Sequence, residues 1–246
     1  MEVREIRVKS VLNRSGEDYT VNPYVGCSHA CVYCYARYYT KKFKGFDGWG
    51  SVVEVKVNAA EVLERELTRK YPRKVFMSTI CDPYQPIEAK YRITRKILEV
   101  FASHGGLLKT EVTIVTKSTM VLRDLDLLRE LKAVVALSLT TDDEDVRRLF
   151  EPNASSVSER VETLKILKEN GLKTCVFISP ILPMNTQKLV SMIEGLVDCV
   201  FVDPVNYRWL VEDFYKKHGL SWALKDEYFE KVKREICSRL GKNLIL

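Results

Sequence analysis

The feature that most constrains this 246-residue chain is a rhythm in which short apolar, β-branched runs alternate with segments of helical period. The runs lie at Val75–Thr79, Val112–Thr116, Val134–Thr140, Thr174–Ile178 and Val200–Val202, with an earlier extended segment around Tyr19–Val25. Between them the apolar spacing lengthens. Over Ala59–Lys70, Val62, Leu63 and Leu67 face one way, and Glu61, Arg65 and Arg69 another. Similar patterns fill Thr94–Ser103, Leu122–Leu131, Ser158–Asn170 and Thr186–Leu196, and Gly171 stands where the fourth should stop. Strands separated by single helices imply βαβ units, a parallel sheet and right-handed crossovers. About six such units fit a partial (βα)6 barrel or a doubly wound open sheet. Two helical stretches follow, Trp209–Lys217 and Lys225–Leu240; in the second, Phe229, Val232, Ile236 and Leu240 form a stripe that should pack on the sheet. No linker or repeat interrupts the rhythm, so a single domain over residues 1–246 is expected, with a core at 19–207 and a helical extension at 208–246.

With 46% hydrophobic and 29% charged residues the chain can bury a substantial core and does not read as disordered. No apolar run approaches the ~20 residues that span a bilayer, and MEVREIRVKSVLNR lacks an apolar signal core. The expectation is a cytoplasmic protein without a membrane partner. Clustered cysteines there bind metal more often than they form disulfides, and the odd count of seven argues against a fully paired framework. A net charge of +6 permits an anionic partner without requiring one.

Three of the seven cysteines crowd into NPYVGCSHACVYCYARYY, where Cys27, Cys31 and Cys34 are spaced C-x3-C-x2-C. Four thiolates would complete a structural zinc site or a fully ligated iron–sulfur cluster; three leave one metal corner open for an outside ligand. The loop follows the first expected strand, at the strand end where active sites of parallel α/β folds collect. Zinc with His29 as fourth ligand is the alternative. Zinc sites more often join two distant C-x2-C pairs, and no second pair exists here.

This spacing, with Tyr33 just before the last cysteine, resembles the signature of the radical S-adenosylmethionine (SAM) superfamily. The resemblance implies a partial (βα)6 TIM-like barrel and a [4Fe-4S] cluster on Cys27, Cys31 and Cys34. It also implies SAM on the fourth iron, a flavodoxin- or ferredoxin-like electron donor, and cleavage of SAM to a 5′-deoxyadenosyl radical. "RRLFEPNASSVSERVETLKILKENGLKTCVFISPILP" (Arg147–Pro183) and "VTKS" (Val115–Ser118) resemble stretches of the spore photoproduct lyases. "NPYVGCSHACVYCYAR" with "STICDPYQPIEAKYRITRKILE" is similar to lyase-like radical SAM proteins of bacteria and archaea. Together these matches cover most of Tyr19–Pro183.

The resemblance assigns further residues. Tyr33 joins the cofactor-binding set. Lys117 ends the third strand where, by the resemblance, a lysine contacts the SAM carboxylate; read alone, it equally begins a turn. Ser138 matches a SAM-contacting serine, and Thr140 shares its strand face, although both residue types also serve strands without chemistry. Asp82, in "CDPYQPIE", lies where many members carry a Gly-Gly-Glu segment for the SAM amine; with no Gly-Gly, Ser78 or Thr79 hydroxyls would substitute. The lyases carry a hydrogen-donor cysteine after the second strand. Alignment on the shared Asp puts that position at Thr79, and Cys81 would share its side if the strand continues. Cys81 as ordinary packing is the alternative. Cys175, Cys199 and Cys237 read as core, Glu151 and Arg160 as loop bracing, Ser158 as a helix cap, and Pro180 and Pro183 as barrel rim near the adenine.

In "YARYYTKKFKGFDGWG", Arg37, Lys41, Lys42 and Lys44 interleave with Tyr35, Tyr38, Tyr39, Phe43, Phe46 and Trp49. Cations for phosphates and rings for bases suit a nucleic acid; the plainer reading has the rings shielding the cluster and the lysines solvated. The expected activity is radical SAM chemistry on an unidentified substrate, with nucleic acid the favoured class. Photoproduct repair itself is not expected, because the donor cysteine is displaced. The competing readings are a zinc-stabilised, non-catalytic nucleic-acid-binding protein and an iron–sulfur electron carrier, which would leave Lys117 and Ser138 no SAM to serve.

Overall fold

The chain opens with β1 (Glu2–Ile6), a hairpin of β2 (Leu12–Ser15) and β3 (Asp18–Val21), and the short β4 (Tyr24–Val25). Next come α1 (Ala36–Lys44), β5 (Val52–Lys56), α2 (Ala59–Leu67) and β6 (Lys74–Met77). The alternation continues through α3 (Glu88–Tyr91), α4 (Ile93–His104), β7 (Glu111–Thr116), α5 (Leu125–Glu130), β8 (Val134–Ser138), α6 (Glu144–Phe150), α7 (Val157–Glu169), β9 (Lys173–Ile178), α8 (Thr186–Ile193) and β10 (Cys199–Val202). After them stand α9 (Glu212–Lys217) and α10 (Asp226–Leu240). The computed structural model describes residues 1–46, 48–104 and 110–241, with the Phe43 side chain outside that description.

The main sheet has the order β10-β9-β8-β7-β6-β3-β2, parallel throughout except for the β2–β3 hairpin. Six parallel strands in sequence order, each joined to the next through helix, make a partial (βα)6 barrel. Side-chain alternation explains its two faces. Met77, Ile114, Leu137, Ile178 and Val202 point outward and are buried against Leu63, Ile97, Leu128, Leu164 and Ile193 of the helices. On the other face Phe76, Val115 and Phe177 meet around one cavity. The α10 stripe packs as its period suggests: Val232 and Ile236 are buried, and Phe229 and Leu240 rest partly buried on the same core. Among the described residues no helix is long and apolar enough to cross a membrane.

The structure departs from the sequence reading in four places. A second sheet, β1-β5-β4, was not legible. All of β5 is buried, Glu54 and Lys56 included. Lys44 pairs with Glu54 at 2.7 Å, and Lys56 Nζ donates to the Asn22 carbonyl at 2.7 Å, so neither charge is buried alone. The basic aromatic segment forms α1, closed by Gly45 in the left-handed region. Ser156, not Ser158, caps α7, in a reciprocal capping box with Glu159. Finally, Cys175 and Cys199 are not separate core thiols. Their strands pair in a register that sets them opposite one another, and they form a disulfide with a Cα–Cα distance of 4.7 Å.

Because this bond closes a 24-residue separation inside the barrel, replacing either cysteine with serine should lower stability by about 2–4 kcal/mol. Urea unfolding of Cys199→Ser with and without reductant checks this. The variant should lose the reductant sensitivity that the parent shows.

Candidate active site

The cysteine loop runs from the end of β4 to the start of α1 and is held from several sides. Gly26 adopts φ +83°, and a Cβ there would come within 2.4 Å of the Val52 carbonyl oxygen, so the backbone lies against β5 as only glycine allows. The fully buried Gln85 side chain accepts from Ser28 N at 2.9 Å and donates to the Gly26 carbonyl at 3.2 Å. Asn153 Nδ2 donates to Ser28 O at 2.9 Å, and Val32 N to Phe150 O at 2.9 Å. Gln85 and Asn153 escaped the sequence reading. The one signal was Gln85's place in the same "DPYQP" turn as Asp82.

Cys27, Cys31 and Cys34 all line a cavity of about 300 Å³ at the C-terminal ends of the strands, as do Tyr33, Ser78, Thr79, Cys81, Asp82, Lys117 and Ser138. Burial pushes all three thiols up, Cys31 to about 12. They therefore stay protonated near neutrality until a cation replaces the protons. Lys117 is raised: burial opposes its charge, but Cys31 and Glu151 favour it.

Asp82 is a brace. Its carboxylate accepts from Tyr84 N (2.9 Å), Thr116 Oγ1 (2.7 Å) and Lys117 N (2.8 Å), and His29 Nδ1 lies 3.3 Å away. Burial alone would raise its pKa, yet His29, Thr116 and the Lys117 amide hold it to about 2. It thus ties the cysteine loop to the end of β7. His29 is turned to this carboxylate, and among the described residues no three His, Cys, Asp or Glu side chains gather as around a single ion.

Strand β6 ends at Met77, because Ser78 takes a left-handed φ of 71°. Cys81 therefore reaches the cavity from a turn rather than a continued strand. Its Sγ lies 3.5 Å from Ser78 Oγ, and burial raises it to about 11. Asn22 Oδ1 accepts from Thr79 N (2.9 Å) and Ile80 N (3.1 Å), fastening this turn to the end of β3. The Thr79 hydroxyl sits 3.3 Å from the Asn22 amide nitrogen, and the Thr79 carbonyl accepts from Tyr35.

Ser138 is fully buried, lines the cavity, and its Oγ has no partner. Thr140 does not line the cavity: its hydroxyl donates to Glu151 Oε1 at 2.9 Å. Tyr33 donates to the same oxygen. Arg160 contacts Glu151 Oε2 at 2.6 Å and donates to Ser138 O and Ser155 O, both at 2.9 Å. Lys117 Nζ stands 4.0 Å from Glu151. Burial raises Glu151, but Arg160, Lys117 and Tyr33 overcome it and hold the carboxyl near 2. Pro180 is at the cavity rim and Pro183 outside it. Tyr35 and Trp49 line the cavity and Phe46 packs with Val25 and Val52, whereas Tyr39 is exposed.

The model of the radical SAM superfamily matches residues 21–196. The chain belongs to the radical SAM superfamily. Among relatives of this radical SAM protein, an uncharacterized protein of Methanocaldococcus jannaschii is 36% identical over 187 residues, which are 74% of this chain and 69% of that protein. An uncharacterized protein of Mycobacterium tuberculosis strain H37Rv is 35% identical over 197 residues; the match spans 74% of this chain but only 56% of that one. In structure, spore photoproduct lyase complexed with dinucleoside spore photoproduct superposes with a TM-score of 0.70 at 16% identity, over 99% of this chain and 81% of the lyase. The radical SAM protein thus shares the lyase fold.

The cavity fits the superfamily's cofactors. It offers three thiols from one loop, a lysine whose charge is sustained, and a buried hydroxyl without a partner, placed where a polar ligand would satisfy it.

Proposed function

We propose that this protein is a radical SAM enzyme that abstracts hydrogen from a nucleic-acid substrate. Cys27, Cys31 and Cys34 would hold a [4Fe-4S] cluster, with SAM at its open iron and a flavodoxin- or ferredoxin-like donor reducing it. Bound there, the cluster and SAM supply a 5′-deoxyadenosyl radical. The observation that carries this reading is the convergence of the three thiols, Lys117 and the partnerless Ser138 hydroxyl on one cavity.

In this reading Lys117 gives a fixed positive charge to the SAM carboxylate, and Ser138 donates to a ligand oxygen. Ser78 and Thr79 present the turn that replaces a Gly-Gly-Glu segment. Asp82 and Tyr33 line the cavity and Thr140 lies behind it; all three act as positioning residues, because their polar atoms are engaged with protein groups. Cys81 faces the cavity as a protonated thiol, the form that donates a hydrogen atom. Phe76 and Phe177 make an apolar wall that excludes water from a reacting radical. Nucleic acid is favoured by the basic character of α1 and by the dinucleoside bound to the lyase of the same fold.

The test is anaerobic reconstitution, dithionite reduction, EPR with and without SAM, and an assay for 5′-deoxyadenosine. A reduced-cluster signal perturbed by SAM, with 5′-deoxyadenosine formed, is expected. Colourless protein holding one zinc and no sulfide would sink the proposal. Ser138→Ala gives a second, separable result. Burying an unsatisfied hydroxyl costs about 1–3 kcal/mol, so the variant should be as stable as the parent or more so. Its SAM affinity should nonetheless fall by about 2- to 12-fold, the loss of one hydrogen bond.

A further inference from the structure

At the rim of the cavity stands a group of aromatic side chains that the chemistry above leaves unused. Tyr38 of α1 packs edge-to-face with Trp209 from the loop after β10, ring centroids 5.4 Å apart. The hydroxyls of Tyr39 and Tyr207 lie 3.2 Å apart. Tyr35 stacks on Tyr207 at 6.0 Å and 25°, while also lining the cavity. The group is therefore continuous with the active site. Tyr39 and Tyr207 are nevertheless exposed, and Trp209 is 60% exposed. Large rings clustered in water at a cavity mouth mark a binding surface.

Two observations show that this surface is built. Arg37 donates to Val32 O at 2.7 Å and to Leu210 O at 2.9 Å, clamping α1 to the loop that carries Tyr207 and Trp209. Tyr207 holds φ 55° and ψ 49°, a left-handed backbone that a bulky residue seldom adopts and that is enriched at ligand sites. The α1 side of the rim is basic. Tyr35–Gly45 contains Arg37, Lys41, Lys42 and Lys44 and no Asp or Glu. Lys44 pairs with Glu54, Lys41 and Lys42 are exposed, and Lys42 Nζ lies 5.7 Å over the Tyr38 ring.

We propose that this rim binds single-stranded nucleic acid, its rings stacking on unpaired bases while the α1 lysines meet the phosphates. The proposal rests on the nucleic-acid reading of the active site and narrows its substrate class. Exposed ring faces need exposed base faces, which a duplex hides in its own stack, and a polyanion suits the exposed Lys41 and Lys42 of α1. A nucleotide next to a base stacked on Tyr207 would lie at the cavity mouth beside Tyr35 and Asn206, which line it.

The test is fluorescence anisotropy on the full, cluster-loaded chain with labelled DNA and RNA single strands, an abasic strand of equal length, a duplex, and a lysine-free aromatic peptide. Oligonucleotide stimulation of 5′-deoxyadenosine formation is followed in parallel. Intact strands should bind roughly 5- to 100-fold more tightly than the abasic strand or duplex, from stacking energies. Trp209→Ala and Tyr207→Ala should each weaken the intact strand about 5-fold or more and leave the abasic strand unchanged. Equal binding of intact and abasic strands, unchanged affinity in both variants, or preference for the peptide overturns the proposal. Stimulation that is the same in parent and variants removes the rim's role and leaves the nucleic-acid substrate standing. If no strand binds or stimulates while 5′-deoxyadenosine still forms, the nucleic-acid reading fails with it and the radical SAM assignment survives.

Discussion

Replacing Glu151 with alanine is expected to destabilise the fold by about 3–5 kcal/mol, the cost of breaking a buried ion pair from one side. Glu151 is fully buried and Arg160 is 1% exposed, so the guanidinium left behind could not recover its hydration. Tyr33 and Thr140 would lose their acceptor in the same step. Chemical denaturation of the purified variant checks the magnitude. The double replacement Glu151→Gln/Arg160→Met should recover part of the loss, because an apolar partner removes the stranded charge. A Glu151→Ala change within about 1 kcal/mol of the parent would show that the pair is not a brace.

The same carboxylate sets a pH dependence. Glu151 and Asp82 are both held near 2 in the folded state, below their ordinary values of 4.5 and 3.8. A depressed folded value stabilises above the unfolded value and is lost as pH falls towards the folded one. Stability should therefore be flat from pH 7 to about 5 and drop between about 4.5 and 2, by roughly 2–3 kcal/mol for each group. Urea midpoints at pH 7, 5, 4 and 3 follow this, and Glu151→Gln should flatten the curve.

Replacing Cys31 with alanine is expected to abolish cluster assembly and 5′-deoxyadenosine formation together. No other thiol on the loop can substitute: Cys27 and Cys34 each have their own position, and Cys81 sits on a turn fastened to Asn22. The fold should survive, because exchanging a small buried thiol for a methyl group costs about 1–2 kcal/mol. Iron and sulfide analysis, the visible absorption spectrum and far-UV circular dichroism separate these outcomes. Retained cluster with lost activity would move the ligand role away from Cys31.

Five of the six parallel strands were legible because each carries a short apolar, β-branched run, and the helices between them keep an apolar stripe. The sixth, β3, is the polar DYTV and was legible only as part of an extended segment. The sheet of β1, β5 and β4 was not legible, since Glu54 and Lys56 mask a wholly buried strand whose charges are met by Lys44 of α1 and the Asn22 carbonyl after β3. The Cys175–Cys199 bond depends on the register between two strands, which no local pattern encodes. In the site, the three cysteines were legible because their spacing is local. Cys81 was placed only loosely, because a left-handed serine ends β6 earlier than its apolar run suggests. Thr140 shares Ser138's alternation, yet Glu151, brought back by α6, claims its hydroxyl. Read from sequence, Glu151 is only a loop residue; its burial gives it weight.

The bond between Cys175 and Cys199 joins the edge strand β10 to β9 below Phe177 and Phe201, whose rings pack 5.5 Å apart. The lower half of the barrel is thus a stiff cup, pinned covalently at the edge most able to peel away. Breathing that admits substrate or releases product then falls above it, in the turns after the strands. Amide hydrogen exchange should record that division, slow along β9 and β10 and faster in the turns that follow the strands. Reduction of the bond should erase it from the β10 side first.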